Sequence, residues 1–541
     1  MAIKVGGTEV VDNNRQLKNI ASVDSTTVTA LSNAGVGSGG GKFSATADGA
    51  IAIGKPVALQ SDGTVKQVAE TLTELNPITT GTERTIGPTA NNPSGAYGNI
   101  FYFEGTNKKN VLHVYHANSG DAVRLTASYL QGDNLDDFAV AIQSSQGSGM
   151  EGKSVVSAFD PVNKYLLTMW KYSSGIRYRM YKFYEDSGGN TGAYATSTTD
   201  VTTYGQVRSS GSTQLSLAYS TTDGHFRLTM INTSSVIKVI TMEATGTDSP
   251  SLTFKGAANI ASNQGNSEDF WMAYNSTDNR FLITYRNGAS SDNGTYRYFS
   301  TSTSDGSVTN HAGANFYSGG YINYTRCEYN PQDNCFVVCF TYGSGHGIKQ
   351  LDVSGTSITV VDGASSLFQE STNDPDRRAH LAYDPISRKI ILGRRSPSSN
   401  NHMNISKINT SGSSPSKTGE ITLHTSEVND AMGVVYLDGQ SKMLGVSERS
   451  SGDFAYRTFT VASATSTNTN WIGFAEAAIS DSASGDILVV GSTAENQSGL
   501  TIGSTYYVQA DGTLATTSTN AVKAGRAIAA NKLLITEGNA A

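Results

Sequence analysis

Five acidic residues are the side chains of this sequence best suited to cleaving a glycosidic bond, which takes two carboxylates roughly 5–10 Å apart. They are Asp133, Asp136, Asp137, Glu151 and Glu268. Two arginine pairs, Arg377–Arg378 and Arg394–Arg395, could bind an anionic sugar. None of these residues has the spacing of a catalytic motif, and the sialidase repeat Ser-x-Asp-x-Gly-x-Thr-Trp is absent. We therefore predict no catalytic residue and a protein that is not an enzyme, with a glycan hydrolase as the less favoured alternative.

Metal and cofactor chemistry finds equally little support. The three cysteines, Cys327, Cys335 and Cys339, fall in one predicted hairpin whose nearest histidine, His346, stands alone. Buried free thiols are therefore predicted in preference to a zinc site. The turns rich in Asp and Asn lack the ligand order of a calcium loop, and Asp in a β-turn usually accepts hydrogen bonds from nearby backbone. We predict no metal and no cofactor.

Composition and charge narrow the class of protein further. The 541 residues have a charged fraction of 16% and are rich in Gly, Ser, Thr and Asn, which is typical of many short strands joined by tight turns. A net charge of −7 disfavours nucleic acid as a partner. No apolar run approaches the roughly 20 residues of a membrane helix, and no secretory signal opens the chain. We expect a soluble protein made in a cytoplasm, without membrane insertion.

The elements that must position any site come from an internal repeat of hairpins. Each copy has an aromatic residue, then a polar turn, then an apolar residue seven positions on, as in MAYNSTDNRFLITY around Tyr274. In the first copy the apolar residue falls eight positions on, at Val111. The aromatic anchors lie 53 to 60 residues apart, at Phe103, Phe159, Tyr219, Tyr274, Tyr329, Tyr383 and Tyr436.

Third and fourth strands follow most of these hairpins, for example TYRYFS after Gly294 and SITVV at Ser357. Seven units of four antiparallel strands predict an all-β fold, a seven-bladed β-propeller over residues 71–462. A β-solenoid is the structural alternative, although its repeats are shorter. Because the seventh unit lacks a clear fourth strand, we expect residues Thr64 to Leu75 to supply it and close the ring.

The two flanks of the propeller predict one small discontinuous β domain, formed by residues 42–70 and 463–541. Each flank contains an Asp-Gly hairpin signal, at Asp62–Gly63 and Asp511–Gly512. Roughly 30 residues cannot bury a core alone, so the two segments are expected to fold together. Residues 1–41 are predicted to form a hairpin around Gly6 and Gly7, a short helix from Ser25 and a Gly-rich linker.

The sequences at the two ends carry a resemblance to a known family. AIKVGGTEVVDNNRQLKNIASVDSTT at the start, and FAEAAISDSASGDILVVGSTAENQSGLTIGSTYYVQADGTL near the end, resemble tail-fibre-like virion proteins of phages of marine and freshwater bacteria. KPVALQSDGTV is also similar to small β domains that decorate phage heads. The resemblance implies a virion structural protein, assembled in the cytoplasm of a bacterial host. It identifies no site.

A tail fibre or appendage protein that docks by its N-terminus and presents the propeller outward is the function these expectations favour. Val5, Val11, Leu17 and Ile20 are the predicted docking residues; the ligand-binding residues are unknown. The expected partners are other virion proteins, a glycan of the host surface and further copies of the chain, with a trimer plausible for a fibre. A capsid-decorating or portal-proximal protein is the alternative.

Overall fold

The computed structural model divides the chain into two compact units. The small unit combines Met1–Thr73 with Ala464–Ala541, and the propeller unit is Glu74–Ser463. The structure describes residues 3–5, 8–11, 41–86, 99–117, 122–131, 134–136, 150–172, 175–187, 189, 191–201, 207, 215–265, 267–342, 345–361, 379–395, 402–410, 414–425, 428–449, 453–518 and 521–536.

The strands that precede the first predicted hairpin are short, apart from one of 11 residues. They are β1 Ile3–Val5, β2 Thr8–Val11, β3 Lys42–Thr46, β4 Pro56–Leu59, β5 Val65–Gln67, β6 Glu70–Thr80 and β7 Arg84–Ile86.

The repeated hairpins and their third and fourth strands supply the next 28 strands. They are β8 Asn99–Glu104, β9 Lys109–Ala117, β10 Ala122–Gln131, β11 Asn134–Asp136, β12 Met150–Asp160, β13 Tyr165–Tyr172, β14 Gly175–Glu185, β15 Thr191–Ala195, β16 Thr199–Val201, β17 Leu215–Tyr219, β18 His225–Ile231, β19 Ile237–Thr245, β20 Ser251–Ala261, β21 Glu268–Asn275, β22 Arg280–Asn287, β23 Asn293–Thr301, β24 Val308–Tyr317, β25 Ile322–Asn330, β26 Cys335–Tyr342, β27 Gly345–Ser354, β28 Ser357–Val361, β29 Ala379–Asp384, β30 Lys389–Arg395, β31 Met403–Asn409, β32 Ser416–His424, β33 Val428–Leu437, β34 Lys442–Arg449 and β35 Phe454–Ser466.

The chain then returns to the small unit through a 3₁₀ turn, Asn468–Asn470. The remaining strands are β36 Trp471–Ala475, β37 Ser484–Leu488, β38 Thr493–Ala494, β39 Thr505–Val508, β40 Leu514–Ala515, β41 Val522–Ala529 and β42 Lys532–Ile535.

The repeated hairpins build antiparallel sheets that follow one another around a ring. The described residues form seven such sheets, here called blades 1 to 7, whose first strands are β8, β12, β17, β21, β25, β29 and β33. The first strand of each blade contacts that of the next blade, and β33 contacts β8. Radial closure of this kind leaves no long exposed edge. The all-β propeller fold predicted from the sequence is confirmed.

Neighbouring blades share apolar cores, so the ring is stabilised by a chain of small cores. Trp170 and Phe103 are buried in the core between blades 1 and 2, and Phe270 in the core between blades 3 and 4. The cluster around Leu444 and Tyr115 joins blade 7 to blade 1. The ring is therefore closed both by contacts between strands and by packing of side chains.

The polar turns of several hairpins are each fixed by a side chain that accepts hydrogen bonds from the turn backbone. The Asp160 carboxylate accepts hydrogen bonds from the backbone N–H groups of Val162 (2.9 Å) and Asn163 (3.0 Å). Asn275 does the same for Thr277 and Asp278. These residues act as backbone acceptors, which is the usual role of Asp and Asn in turns.

The ring is closed by a strand from before the first blade, as expected, and this strand overlaps the predicted segment without matching its bounds. Blade 7 takes β6, Glu70–Thr80, as its fourth strand beside β35. The predicted segment, Thr64 to Leu75, began too early because Val65–Gln67 pairs with Pro56–Leu59 in the small unit. Asp62 and Gly63 form the turn between those two strands, and this hairpin keeps Val65–Gln67 in the small unit.

The register of blade 1 corrects a second expectation. Phe103 pairs with Asn110, seven positions on as in the other copies, and Val111 pairs with Tyr102. A polar residue therefore occupies the position that is apolar in the other six copies. It is tolerated because the Asn110 side-chain oxygen accepts a hydrogen bond from Thr191 Oγ1 at 2.6 Å.

The described residues of the small unit form two five-stranded sheets, of which the first combines strands from both flanks and the second comes from the C-terminal flank alone. One has the order β3-β37-β36-β4-β5, and the other has the order β38-β42-β41-β39-β40. The two Asp-Gly turns have the same geometry: the Asp62 carboxylate accepts from the Thr64 N–H at 2.9 Å, and that of Asp511 from the Thr513 N–H at 2.9 Å. Trp471 and Phe474 are buried in the core.

The first residues of the chain form the predicted hairpin, in which β1 pairs with β2. Val5 and Val11 lie on these two strands. Leu17, Ile20 and the helix predicted from Ser25 lie outside the described residues, so their role stays a prediction. Nowhere in the described ranges is there a helix long and apolar enough to span a membrane.

Candidate ligand-binding channel

A cavity of about 520 Å³ lies at the centre of the propeller unit, between the first strands of the blades. Its volume falls in the range of small-molecule sites, about 300–1,000 Å³. Aromatic, apolar and small side chains make up most of its wall, including Phe101, Phe159, Trp271, Leu217 and Val434. We call this cavity the channel.

One position of the repeat forms a layer of small side chains in the channel wall. It is the residue just before the aromatic anchor, and it is alanine in blades 2, 3, 4 and 6, at Ala158, Ala218, Ala273 and Ala382. In blade 5 the same position holds Glu328. A carboxylic acid therefore replaces a methyl group at one point of an otherwise apolar layer.

The surroundings of Glu328 favour the protonated form of its carboxyl group. Burial raises the pKa of Glu328 to about 8, and only the Tyr329 backbone N–H acts against this increase. The side chain is half-buried: one side borders the channel, and the other sides contact protein. Among the described residues, no cation forms an ion pair with it. A carboxylic acid that is neutral near pH 7 can donate a hydrogen bond to an oxygen atom in the channel.

His380 contributes a second polar group to the wall. Its Nδ1 accepts a hydrogen bond from the Val434 backbone N–H at 3.3 Å, so the neutral ring carries its proton on Nε2. Burial lowers the pKa of His380 to about 3, with a smaller contribution from Arg326. The imidazole is therefore neutral over the physiological range and offers one N–H donor.

Trp271 is held in place by contacts on two sides. Its indole Nε1 donates to the Cys327 carbonyl in the next blade at 3.0 Å. The Arg326 guanidinium lies over the indole, 3.7 Å from the ring centroid, and the His380 ring meets it edge-on with centroids 6.3 Å apart. A fixed aromatic ring beside two neutral donors suits a ligand that has both apolar and hydroxyl surfaces.

Of the acidic residues considered for catalysis, the structure describes the side chain of Glu268, which does not line the channel. Glu268 forms a buried ion pair with Arg286 in its own blade. The side chains of Asp136 and Glu151 lie outside the described part of the structure, as do Asp133 and Asp137. Arg394 pairs with Glu420 at 2.9 Å within blade 6, while Arg377 and Arg378 are outside the described ranges.

The three cysteines are buried free thiols, as predicted. Burial raises the pKa of Cys335 and of Cys339 to about 12, and it raises that of Cys327 as well. Within the residues described, no group of three or more His, Cys, Asp or Glu side chains is placed to hold a metal ion.

Glu328 was missed at the sequence level, although the repeat contains its signal. Aligning the copies on their anchors places SAFDP, LAYST, MAYNS, CEYNP and LAYDP in one register. The second column reads Ala, Ala, Ala, Glu, Ala. A charged residue in an apolar column costs stability and often marks a functional position.

Comparisons with known proteins support the fold class and extend no further. No protein-family model and no curated relative matches the sequence. Among solved structures, the chain is similar to the periplasmic gluconolactonase of Pseudomonas aeruginosa, with 10% identity, a TM-score of 0.41 and coverage of 71% of this chain and 99% of that one.

Two further propellers show a similar degree of likeness. The SapL1 lectin, solved with α-methyl fucoside, has 10% identity and a TM-score of 0.39 over 62% of this chain and 98% of its own. The sialidase of Trypanosoma rangeli, solved with the inhibitor DANA, has 8% identity and a TM-score of 0.35 over 77% and 59%. Likeness at this level concerns the fold alone.

These neighbours correct one expectation from the sequence. The prediction that the protein is not an enzyme is wrong. A gluconolactonase and a sialidase are among the propellers similar to it. The absence of a catalytic motif along the sequence does not exclude catalysis. In a propeller the polar groups of a site come from different blades, so their spacing along the chain need not form a motif.

Proposed function

We propose that this chain is a virion structural protein of a phage, a tail fibre or appendage component mounted through its small unit and displaying its propeller to the host surface. The sequences at the two ends support the proposal through their resemblance to tail-fibre-like proteins. The capsid-decorating alternative assigns the same role to the small unit on a different part of the particle. Other virion proteins and further copies of the chain are the proposed partners.

The distribution of exposed apolar side chains is the observation that carries this proposal. In the described part of the chain, the small unit exposes six large apolar side chains: Phe43, Ile53, Leu59, Val490, Ile502 and Ile528. The much larger propeller unit exposes three: Val162, Tyr184 and Tyr321. Apolar surface that stays in water is a common mark of a protein–protein contact.

Ile502 and Ile528 are the strongest candidates within this set. They are 69% and 48% exposed, and a hydrogen bond of 2.8 Å from the Gly503 N–H to the Ala527 carbonyl brings their chain segments together. Covering these two isoleucines with a partner protein would lower the free energy by about 25 cal/mol for each Å² of apolar surface removed from water. We infer that this pair contacts a particle protein.

The test is incorporation of variants into particles. Ile502→Ser combined with Ile528→Ser should reduce the amount of protein on purified particles by at least tenfold, as measured by quantitative mass spectrometry. Val162→Ser is the matched control, because Val162 is 72% exposed but lies in a propeller turn. Normal incorporation of the double variant, or equal loss in both variants, would refute mounting through the small unit.

A further inference from the structure

We propose that the channel is a binding site for a neutral carbohydrate, and that the Glu328 carboxylic acid is the residue that recognises it. This site is separate from the mounting surface, and the inference holds wherever the protein is attached.

The first step of the argument is that Glu328 has no structural task. The equivalent residues of blades 2, 3, 4 and 6 are alanines, so the layer packs without a carboxyl group. Within the described structure the Glu328 carboxyl has neither an ion-pair partner nor a side-chain hydrogen bond. Burying such a group costs free energy that an alanine would not. A retained cost at one position of a repeat indicates a function.

The second step is the charge state of the channel. The titratable side chains on strands packed against β25 are those of Glu268, Asp269, Tyr274, Arg280, Tyr285, Arg286, Tyr296, Arg297, Tyr298, Cys335, Cys339, Tyr342, His380, Tyr383, Asp384, Lys389, Arg394 and Arg395. None of them contributes to the pKa of Glu328, which burial alone raises. Of these groups, Tyr274, His380 and Tyr383 line the channel; His380 is neutral and the other two are phenols. The Arg326 guanidinium, on β25 itself, covers Trp271 and does not line the channel. The wall near Glu328 is therefore uncharged at neutral pH.

The third step is the match between the wall and a ligand. Two neutral donors, the protonated Glu328 carboxyl and His380 Nε2–H, suit the hydroxyl and ring oxygens of a sugar. Trp271 and Phe101 offer apolar surface of the kind that sugar C–H faces cover. An anion would meet no cation among the groups described for the wall, and a phosphate or carboxylate would stay unpaired. Neutral hexose units fit these conditions best.

Four other polar side chains of the wall have hydrogen-bond partners within the protein. The Ser216 hydroxyl accepts a hydrogen bond from the Met272 backbone N–H at 2.7 Å, and Ser157 is bonded to Thr168 at 3.2 Å. The tyrosine hydroxyls of blades 4 and 5 are bonded to turn residues. These four side chains are therefore less available to a ligand than Glu328 and His380.

The experiment uses the full chain and a panel of methyl glycosides of glucose, galactose, mannose and fucose, followed by ligand-observed saturation-transfer NMR at pH 6.5. We expect at least one of them to bind, and the anionic sugar N-acetylneuraminic acid not to bind. Glu328→Ala should weaken binding by at least tenfold. This variant restores the residue that four other blades carry, so its fold should be intact, and its melting temperature should equal or exceed that of the original protein.

A second variant separates recognition by the acid from a nonspecific effect. Glu328→Gln keeps a neutral donor, so it should retain binding within about threefold. Binding by the original protein should fall as pH rises from 7 to 9, and binding by Glu328→Gln should not change over that range. The inference is overturned if no neutral glycoside binds, or if Glu328→Ala binds as the original protein does. Neither result affects mounting through the small unit.

Discussion

The Tyr329 hydroxyl lies 2.9 Å from Thr277 Oγ1, in the hairpin turn of the preceding blade, and 2.7 Å from Asn334 Oδ1 in its own turn. Tyr274 repeats the pattern one blade earlier, with Thr222 and Asn279. A single phenol therefore donates to its own turn and accepts a hydrogen bond from the blade before it. This contact gives the hydroxyls of Tyr274 and Tyr329 a structural role that the phenylalanine anchors, Phe103 and Phe159, cannot have.

Removing this hydroxyl should loosen the ring. Tyr329→Phe leaves the buried ring in place and deletes both hydrogen bonds, so we expect a loss of about 1–2 kcal/mol in the free energy of unfolding. Chemical denaturation, monitored by tryptophan fluorescence, measures this loss in the free energy of unfolding. Tyr507→Phe in the small unit is the control and should leave the propeller transition unchanged. An unaltered propeller transition in Tyr329→Phe would show that the contact contributes nothing.

The two Asp-Gly turns of the small unit permit a matched comparison. Gly63 and Gly512 have φ values of 84° and 79°, so alanine is strained at both. A methyl group on Gly63 would meet open space, whereas one on Gly512 would lie 2.2 Å from the Val68 carbonyl oxygen. We expect Gly63→Ala to cost about 1 kcal/mol and Gly512→Ala at least 2 kcal/mol more. Equal melting temperatures for the two variants would contradict this difference.

The closing strand is secured by a carboxylate between two lysines. Glu74 Oε1 lies 3.0 Å from Lys389 Nζ, and Oε2 lies 2.9 Å from Lys407 Nζ, whose side chain is only 3% exposed. Glu74→Gln leaves the buried ammonium of Lys407 short of a counter-charge, so the propeller should lose about 1–2 kcal/mol. Glu243→Gln, which breaks the exposed pair with Lys255, should change stability by less than about 0.5 kcal/mol.

The pH dependence of the Glu74 contact has a definite sign. The two lysines hold the pKa of Glu74 below its usual range, against the opposing effect of burial. The stabilisation is therefore present above the ordinary glutamate pKa and is lost as the pH falls through the lower pKa of the folded state. Acid titration of stability should show this loss in the original protein and not in Glu74→Gln.

The hairpin turns contain a position that glycine would satisfy better than other residues. Ser441 has φ of 52° and is exposed, and Gly224 fills the equivalent position of blade 3 with φ of 74°. We expect Ser441→Gly to stabilise the propeller by about 0.5–1 kcal/mol and Gly224→Ser to destabilise it by a similar amount. Denaturation midpoints that shift in the same direction in both variants would be inconsistent with this explanation.

Glu328 should also make stability depend on pH in the opposite sense to Glu74. Its pKa is raised in the folded state, so the folded chain holds a proton that the unfolded chain has lost between about pH 4.5 and 8. Stability should therefore fall across that window, relative to Glu328→Gln, by roughly 2–4 kcal/mol. Above pH 8 both forms are ionised and the difference should level off. A flat difference between pH 4.5 and 8 would mean that the carboxyl is solvated.

Local pattern was enough to predict the hairpins, because an alternating strand, a polar turn and a second alternating strand encode one antiparallel pair without reference to the rest of the chain. Blade 1 was misjudged by one position because Asn110 is polar, and only its bond to Thr191 shows that the position is nevertheless buried. The start of the closing strand was placed too early because the region around Val65 could pair either with β4 or with β35. A turn at Asp62 and Gly63 decides that choice.

The candidate site was harder to predict, since its residues come from blades that are distant in the sequence. Glu328 and His380 are 52 positions apart and meet the same cavity only once the ring is closed. Pattern within one hairpin cannot show that neighbourhood. Comparison between hairpins could have identified Glu328, because it departs from the alanine of its column. His380 lies three positions before the anchor Tyr383, where the copies share no regular residue.

The most direct test of the proposed function is a cryo-electron microscopy map of purified particles of the phage that we propose carries this chain. The account predicts density for both units, with the small unit against the particle through Ile502 and Ile528 and the propeller channel facing outward. A particle that lacks the protein, or one that holds it by the propeller with the small unit free in solvent, would contradict the account.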